Sequence, residues 1–139
     1  VPIVIFAVVD GELAPFQIND EADMVIGPMG VWEPDREKCQ PVEIAALGSI
    51  LVPGLAFGLD GTRLGRGKGY YDRLLNHPEC SARRIGVGFA MQQMPSVPHG
   101  PLDARVHLLV SEEGWRDVRS GVASPLSDEP PADVDNSVR

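Results

Sequence analysis

Residues 61 to 73 read Gly-Thr-Arg-Leu-Gly-Arg-Gly-Lys-Gly-Tyr-Tyr-Asp-Arg, with four glycines (61, 65, 67, 69) interleaved with three cations (Arg63, Arg66, Lys68). Glycine admits positive φ and lets backbone N–H groups approach a ligand closely. The cations supply charge-assisted hydrogen bonds. Together they describe a cradle for a polyanion, most simply a nucleoside triphosphate. The blander reading is a glycine-rich surface turn with solvated cations. Cations packed this closely repel one another unless an anion lies between them, which favours the cradle.

The run also constrains the fold around it. Ser49 to Val52 reads as a buried strand ending at Pro53-Gly54. From Gly69 to Asn76 the spacing of Tyr70, Tyr71, Leu74 and Leu75 predicts a helix, with Asp72 in its first turn and Pro78 beyond its end. Arg84 to Ala90 and Val106 to Val110 read as two further strands. Strand, loop, helix and strand in that order predict a βαβ unit, hence an α/β fold with a sheet that is parallel in part. Upstream, residues 3–9 form an apolar, β-branched run expected to be a central strand. Asp10-Gly11 is a turn signal, and Glu12 to Ile18, carrying Pro15, is expected to return as an edge strand. Residues 19–48 read mostly as loop, with a short helical turn over 41–47.

The 139 residues read as one domain over 1–119 and a disordered acidic Pro/Ser tail over 120–139. An apolar content of 43% supports a real core. The net charge of −8 disfavours nucleic acid and acidic membranes as partners. Yet six of the twelve Lys and Arg residues fall between Arg63 and Arg84, which points to a small anionic ligand. Cys39 and Cys80 have neither metal nor disulfide spacing, so a reduced, cytoplasmic protein is expected. No apolar run approaches a membrane span and no secretory signal is present. The chain opens inside a strand pattern without Met, and a segment upstream of Val1 is expected.

Two common nucleotide motifs do not fit. A P-loop needs Gly-Lys followed by Ser or Thr, whereas Gly67-Lys68 is followed by Gly69, and Thr62 stands at the first glycine position. In the dinucleotide fingerprint a third glycine is required where Tyr70 stands. The loop nevertheless follows a strand and opens a helix, a setting that favours phosphate.

Pro53-Gly54-Leu55-Ala56-Phe57, followed by Gly61, Arg63-Leu64-Gly65, Gly67 and Gly69-Tyr70-Tyr71-Asp72, resembles the signature of the 5-formyltetrahydrofolate cyclo-ligases, or 5,10-methenyltetrahydrofolate synthetases. Gly27-Pro28-Met29-Gly30-Val31 with Glu33-Pro34 is similar to a second family segment. Gly86-Val87-Gly88-Phe89, Gln92-Gln93 and Pro98-His99 to Asp103 resemble its C-terminal part. The resemblance runs over roughly residues 1–114.

It implies a Rossmann-like, three-layer α/β/α sandwich with a mostly parallel sheet. It implies Mg²⁺ and ATP as well. ATP phosphorylates the formyl oxygen on N5 of the folate, N10 attacks the activated carbon, and phosphate leaves. By this resemblance Arg63, Leu64, Gly65, Arg66, Gly67, Lys68, Gly69 and Tyr71 bind the nucleotide phosphates. Arg66 and Lys68 act on the phosphoryl group in flight, Arg66 first because its planar fork suits phosphoryl oxygens. Asp72 and Asp103 hold Mg²⁺. Tyr70, Trp32, Glu33 and Phe57 contact folate, and a monomer is expected.

The chain departs from the family at two motif positions, and the family's N-terminal portion, with basic residues expected to reach ATP, is expected upstream of Val1. Phe57-Gly58 stands where Phe-Asp is usual, with Asp60 as a nearby carboxylate, and an Asp expected near Leu47-Gly48 is absent. Two rival readings remain: a non-catalytic folate- or nucleotide-binding relative, and a nucleic-acid-binding module. His77, His99 and His107 share no ligand spacing. Trp115 reads as a core-edge anchor, and Arg83-Arg84 as surface charge.

Overall fold

In the computed structural model, which describes residues 1–129, the chain divides into two compact units, one of Val1–Leu47 and one beginning at Gly48. In the first unit, β1 (Ile3–Val9) and β2 (Glu12–Ile18) form an antiparallel hairpin. Its two-residue turn has Asp10 at φ 51° and Gly11 at φ 79°, the left-handed pair that matches the twist of the strands. β3 (Met24–Ile26) and β4 (Trp32–Pro34) form a second hairpin across residues 27–31. β5 (Gln40–Pro41) pairs with β2.

The sheet order β1-β2-β5 therefore puts β2 in the middle and β1 at the edge, the reverse of the expectation. Pro15 explains why this is tolerated. Its carbonyl accepts from the Val42 N–H at 2.9 Å, and having no N–H to return, it ends the pairing with the short β5 there. Ala7, Phe16 and Cys39 form this unit's core, with Val9, Ala14 and Ile18 packed against it. The short helical turn expected over 41–47 is a single 3₁₀ turn at Ile44–Ala46.

The second unit is built on β6 (Ser49–Val52), β7 (Ala56–Gly58), β8 (Arg63–Leu64), α1 (Tyr70–Leu75), β9 (Arg83–Val87), β10 (Gln93–Met94), β11 (Leu108–Ser111), β12 (Gly114–Asp117) and β13 (Ala123–Ser124). Its main sheet has the order β13-β12-β11-β9-β6. The crossover from β6 through α1 to β9 is parallel, as the βαβ pattern requires, and β9 pairs parallel with β11. β11 with β12 and β12 with β13 are antiparallel, so the α/β class holds while the sheet is mixed rather than mostly parallel. A smaller sheet joins β10, β7 and β8.

α1 is the one α-helix among the described residues, and it lies in the crossover from β6 to β9. Leu74 and Leu75 are buried on its inner side. Arg84, read as surface charge, is only 3% exposed. Its guanidinium donates to the Leu75 carbonyl at the end of α1 (2.6 Å) and to the Arg105 carbonyl (3.2 Å), so its charge is spent on carbonyls that would otherwise lack donors. His107, also buried, accepts the Arg84 backbone N–H on Nδ1. Leu51, on the opposite face, is 65% exposed.

Phe57 is the keystone of this core at 1% exposure. A Cβ on Gly54, Gly86 or Gly88 would lie 2.9, 2.8 or 3.0 Å from its ring. The ring thus occupies space that three glycines leave open, which is why Gly86-Val87-Gly88 reads as it does. Phe57, expected to contact a folate, is placed instead in the core.

The segment 120–129, read from composition as tail, includes β13. The Trp115 indole N–H donates to the Asp128 carbonyl at 2.9 Å, and Trp115 is buried as expected. The rest of that tail, 130–139, lies outside the described residues. Phe57→Ala is expected to cost about 3–5 kcal/mol of stability in urea unfolding. A loss below about 1 kcal/mol would remove Phe57 from the core role.

Candidate functional site

The glycine loop begins with a cation that turns inward. Arg63 is 7% exposed. One guanidinium nitrogen donates to the Pro53 carbonyl at 2.9 Å, and the other meets Asp72 Oδ1 at 3.2 Å. The guanidinium carbon stands 5.7 Å from the Tyr71 ring centroid, within cation–π range. Tyr71 is half-buried, and burial raises its hydroxyl pKa against the opposing pull of the Arg63 charge. Arg63 and Tyr71, expected at the phosphates, therefore form the loop's internal support. With both terminal guanidinium nitrogens committed inside, Arg63 is a structural tie.

Arg66, Gly67 and Lys68 are exposed at the crest, while Gly65 backs onto the Arg63 guanidinium. Gly67 at φ 91° and Gly69 at φ 71° take conformations that L side chains rarely adopt. The backbone N–H groups of Gly67, Lys68 and Gly69 have no acceptor among the described residues. Leu64 pins the other side of the loop, its carbonyl accepting the Leu55 N–H at 2.8 Å.

Asp72 sits in the first turn of α1. Its Oδ1 takes both the Arg63 guanidinium and the Ala104 N–H (3.1 Å), while Oδ2 accepts nothing among the described residues. Asp103, next to Ala104, spends Oδ2 on the Gly100 N–H at 2.7 Å. It lines an open pocket of about 440 Å³ with Asn76, His99, Gly100, Pro101 and Arg105. The two acids thus lie on chain segments joined by two hydrogen bonds, that from the Ala104 N–H to Asp72 and that from the Asn76 side-chain amide to the Leu102 carbonyl at 2.7 Å. Among the described residues, no three His, Cys, Asp or Glu side chains gather to hold a metal unaided. Asp72 Oδ2 suits Mg²⁺, which keeps several waters and needs few carboxylates.

Asp60 answers the departure at Gly58. A Cβ on Gly58 would run into Asp60 Oδ1 and Thr62 Oγ1, so the space a residue-58 side chain would enter already holds the Asp60 carboxylate. Burial pushes the Asp60 pKa up. Hydrogen bonds from the Thr62 hydroxyl and N–H and from Ser96, with the Arg105 charge, outweigh it and hold the group below the usual carboxylate value.

Trp32 and Glu33 belong to the first unit. Trp32 is 60% exposed on β4. The Glu33 carboxyl rests against Gly27, where a Cβ would come within 2.5 Å of its Cδ.

Sequence reasoning gave Arg73 and Gln92 no role of their own. Arg73 reaches back to the Lys68 carbonyl at 2.8 Å and stacks over Tyr70, 5.4 Å from the ring centroid. The i,i+3 spacing of Tyr70 and Arg73 on one helix face was the available signal. Gln92 donates to the Gly54 and Leu55 carbonyls (3.1 and 3.0 Å) and accepts the Phe89 N–H at 2.7 Å, fixing the turn before β7.

An α/β unit with a glycine- and cation-rich loop beside a helix-borne Asp defines the class. The model of the 5-formyltetrahydrofolate cyclo-ligase family matches residues 3–112, and the chain belongs to that family. It is 36% identical over 92 residues to a 5-formyltetrahydrofolate cyclo-ligase of Mycolicibacterium smegmatis, a match covering 66% of this chain and 47% of that protein. It is 36% identical over 78 residues to the Mus musculus enzyme of the same name, covering 53% and 38%. The fold matches the Aquifex aeolicus 5,10-methenyltetrahydrofolate synthetase with a TM-score of 0.74 at 33% identity, over 87% of this chain and 60% of that one. Against the Mycoplasma pneumoniae 5,10-methenyltetrahydrofolate synthetase the TM-score is 0.57 at 25% identity, over 79% and 56%. The chain therefore spans about half or less of the length of these curated relatives. No described helix is long and apolar enough to cross a membrane.

The folded-state pKa of Asp60 lies below its unfolded value, so its contribution to stability is present above about pH 3.9. It is lost as the pH falls through the lower, folded value. Urea unfolding of wild type and Asp60→Asn should therefore differ most near neutrality and converge as the pH drops below about 4. A difference that stays constant with pH would mean the carboxylate's charge does not matter.

Proposed function

We propose that this chain carries the phosphate-holding part of an ATP-dependent 5-formyltetrahydrofolate cyclo-ligase. The single observation behind this reading is the exposed crest Arg66-Gly67-Lys68, with unpaired backbone N–H groups over residues 67–69, beside the Asp72 Oδ2 that Arg63 leaves open. It lies inside the segment that matches the family model.

Phosphoryl transfer asks a protein mainly for positioning and charge neutralisation. Arg66 would meet the γ-phosphate with its planar fork, and Lys68 would add a point charge. The unpaired N–H groups would take the remaining phosphate oxygens. α1 has only six residues, so its dipole adds little and the loop itself carries the charge. Asp72 would hold Mg²⁺ through Oδ2, with Asp103 supporting it from the adjoining segment. The ion, when bound, neutralises charge that develops on the phosphate oxygens.

The chemistry follows in balanced steps. The formyl oxygen on N5 takes the γ-phosphoryl group, and ADP leaves. N10 attacks the activated carbon and gives up its proton to solvent, and the C–O bond breaks to release phosphate and give 5,10-methenyltetrahydrofolate. Without phosphorylation the leaving group would be a poor oxide. Tyr70 is proposed to contact the folate. In the first unit, Trp32 offers an exposed aromatic face for a flat heterocycle, with the Glu33 carboxylate next to it in the chain.

A second reading, a non-catalytic folate- or nucleotide-binding relative, has one observation in its favour: Gly58 stands where the family usually has Asp. The net charge of −8 argues against the nucleic-acid-binding alternative.

Formation of the methenyl product from 5-formyltetrahydrofolate and Mg-ATP, followed by absorbance, tests the proposal. It is to be measured on the chain alone and on the chain joined to whatever its gene encodes upstream of Val1. Binding of Mg-ATP without turnover in both forms would favour the non-catalytic reading. In an active form, Arg66→Ala and Lys68→Ala should each lower turnover by about 10²–10³-fold with the unfolding midpoint unchanged. Arg63→Met should instead lose about 2–3 kcal/mol of stability, because it leaves Asp72 and the Pro53 carbonyl without their buried donor. Near wild-type turnover in either crest variant would overturn the assignment.

A further inference from the structure

The carbonyl of Lys68 does not face solvent freely. Arg73, five residues on and one turn into α1, holds it with a guanidinium N–H at 2.8 Å. The same guanidinium lies over the Tyr70 ring, which limits the directions it can take. Gly69 makes room for it. A Cβ there would stand 2.9 Å from the Arg73 nitrogen, and the residue sits at φ 71° besides. No described peptide bond is cis. In a trans peptide the C=O and the following N–H point in opposite directions. Fixing the Lys68 carbonyl toward Arg73 therefore fixes the Gly69 N–H away from it, and that N–H has no acceptor among the described residues.

We propose that Arg73 is a positioning residue of the phosphate loop. By holding the Lys68 carbonyl it sets the orientation of the Lys68–Gly69 peptide and presents the Gly69 N–H as a preset donor to a phosphate oxygen. This rests on the reading of residues 65–69 as a phosphate loop, and goes beyond it by assigning the loop's shape to a side chain outside it. Arg73 does not contact phosphate in this account. Its guanidinium is occupied on the protein side, and it removes from the loop the freedom to turn that peptide the other way. A glycine-flanked peptide flips readily when nothing holds it.

Amide spectra of the ¹⁵N-labelled 139-residue chain, titrated with Mg-ATP and separately with inorganic tripolyphosphate, test this. In the wild type the Gly67, Lys68 and Gly69 amides should shift with both ligands. In Arg73→Met, whose exposed position keeps the fold intact as judged by the remaining amides, the Gly69 response should fall by at least half. Affinity should weaken about tenfold, the worth of one charge-assisted hydrogen bond. Arg73→Lys, which can still donate to the Lys68 carbonyl, should recover most of the Gly69 response.

An Arg73→Met protein with the wild-type Gly69 response and affinity would overturn the positioning role and leave the loop reading standing. Lost affinity with an unchanged Gly69 response would place Arg73 on the phosphate itself, and overturns the proposal equally. If no loop amide of the wild type moves with either ligand, the phosphate-loop reading falls and this inference falls with it.

Discussion

Arg63 carries a charge into a nearly closed setting, and the arrangement of the second unit follows from the need to neutralise it. An unpaired buried guanidinium is costly, so its partners must come to it. The Pro53 carbonyl brings the end of β6, and Asp72 brings the first turn of α1. Tyr71 offers its ring face. The same Asp72 oxygen accepts from Ala104, which draws in the segment before β11. Removing one member of a buried pair costs several kcal/mol, mostly by stranding the other. Asp72 is 22% exposed, which places this pair toward the lower end.

A second inward cation, Arg84, does for the far end of α1 what Arg63 does for its start. It takes the Leu75 and Arg105 carbonyls, so the helix is held at both ends by guanidinium groups from flanking strands. This divides the local positive charge by role. Arg63 and Arg84 hold the scaffold, Arg73 shapes the loop, and Arg66 and Lys68 remain outward. A helix of six residues could not otherwise be expected to keep a fixed orientation, since propensity alone does not sustain one so short.

Much of this was legible in the sequence. Asp10-Gly11 announced its hairpin through backbone chemistry, and the Tyr70, Tyr71, Leu74, Leu75 spacing announced α1. The order of apolar runs announced the parallel pairing of β6 with β9. What was hidden depends on distant partners. Arg63 and Arg66 are the same residue type three positions apart, and only the places of the Pro53 carbonyl and Asp72 decide which one is buried. Arg84 looked like half of a surface pair because its acceptors are carbonyls, which leave no mark in a sequence. β13 pairs through backbone alone, so a Pro- and Ser-rich segment concealed it. β1 is more apolar than β2 yet lies at the edge, because the short Gln40–Pro41 segment, with no strand composition, pairs on the far side of β2.

The unequal use of the Asp72 oxygens bears on how ligands would enter the proposed site. With Oδ1 held by Arg63 and Ala104, only Oδ2 of Asp72 remains for a cation, and beyond the proposed support of Asp103 no group of three acids among the described residues supplements it. A divalent ion on one carboxylate oxygen is weakly held and keeps most of its water. A triphosphate arriving alone would face the attraction of Arg66 and Lys68 but also the repulsion of Asp72. Each ligand supplies what the other lacks: phosphate oxygens complete the ion's coordination, and the ion cancels the repulsion between phosphate and Asp72. By linkage, each must raise the other's affinity by the same factor. A site with one free carboxylate oxygen beside two exposed cations is thus suited to take metal and nucleotide together, and would hold either one poorly alone.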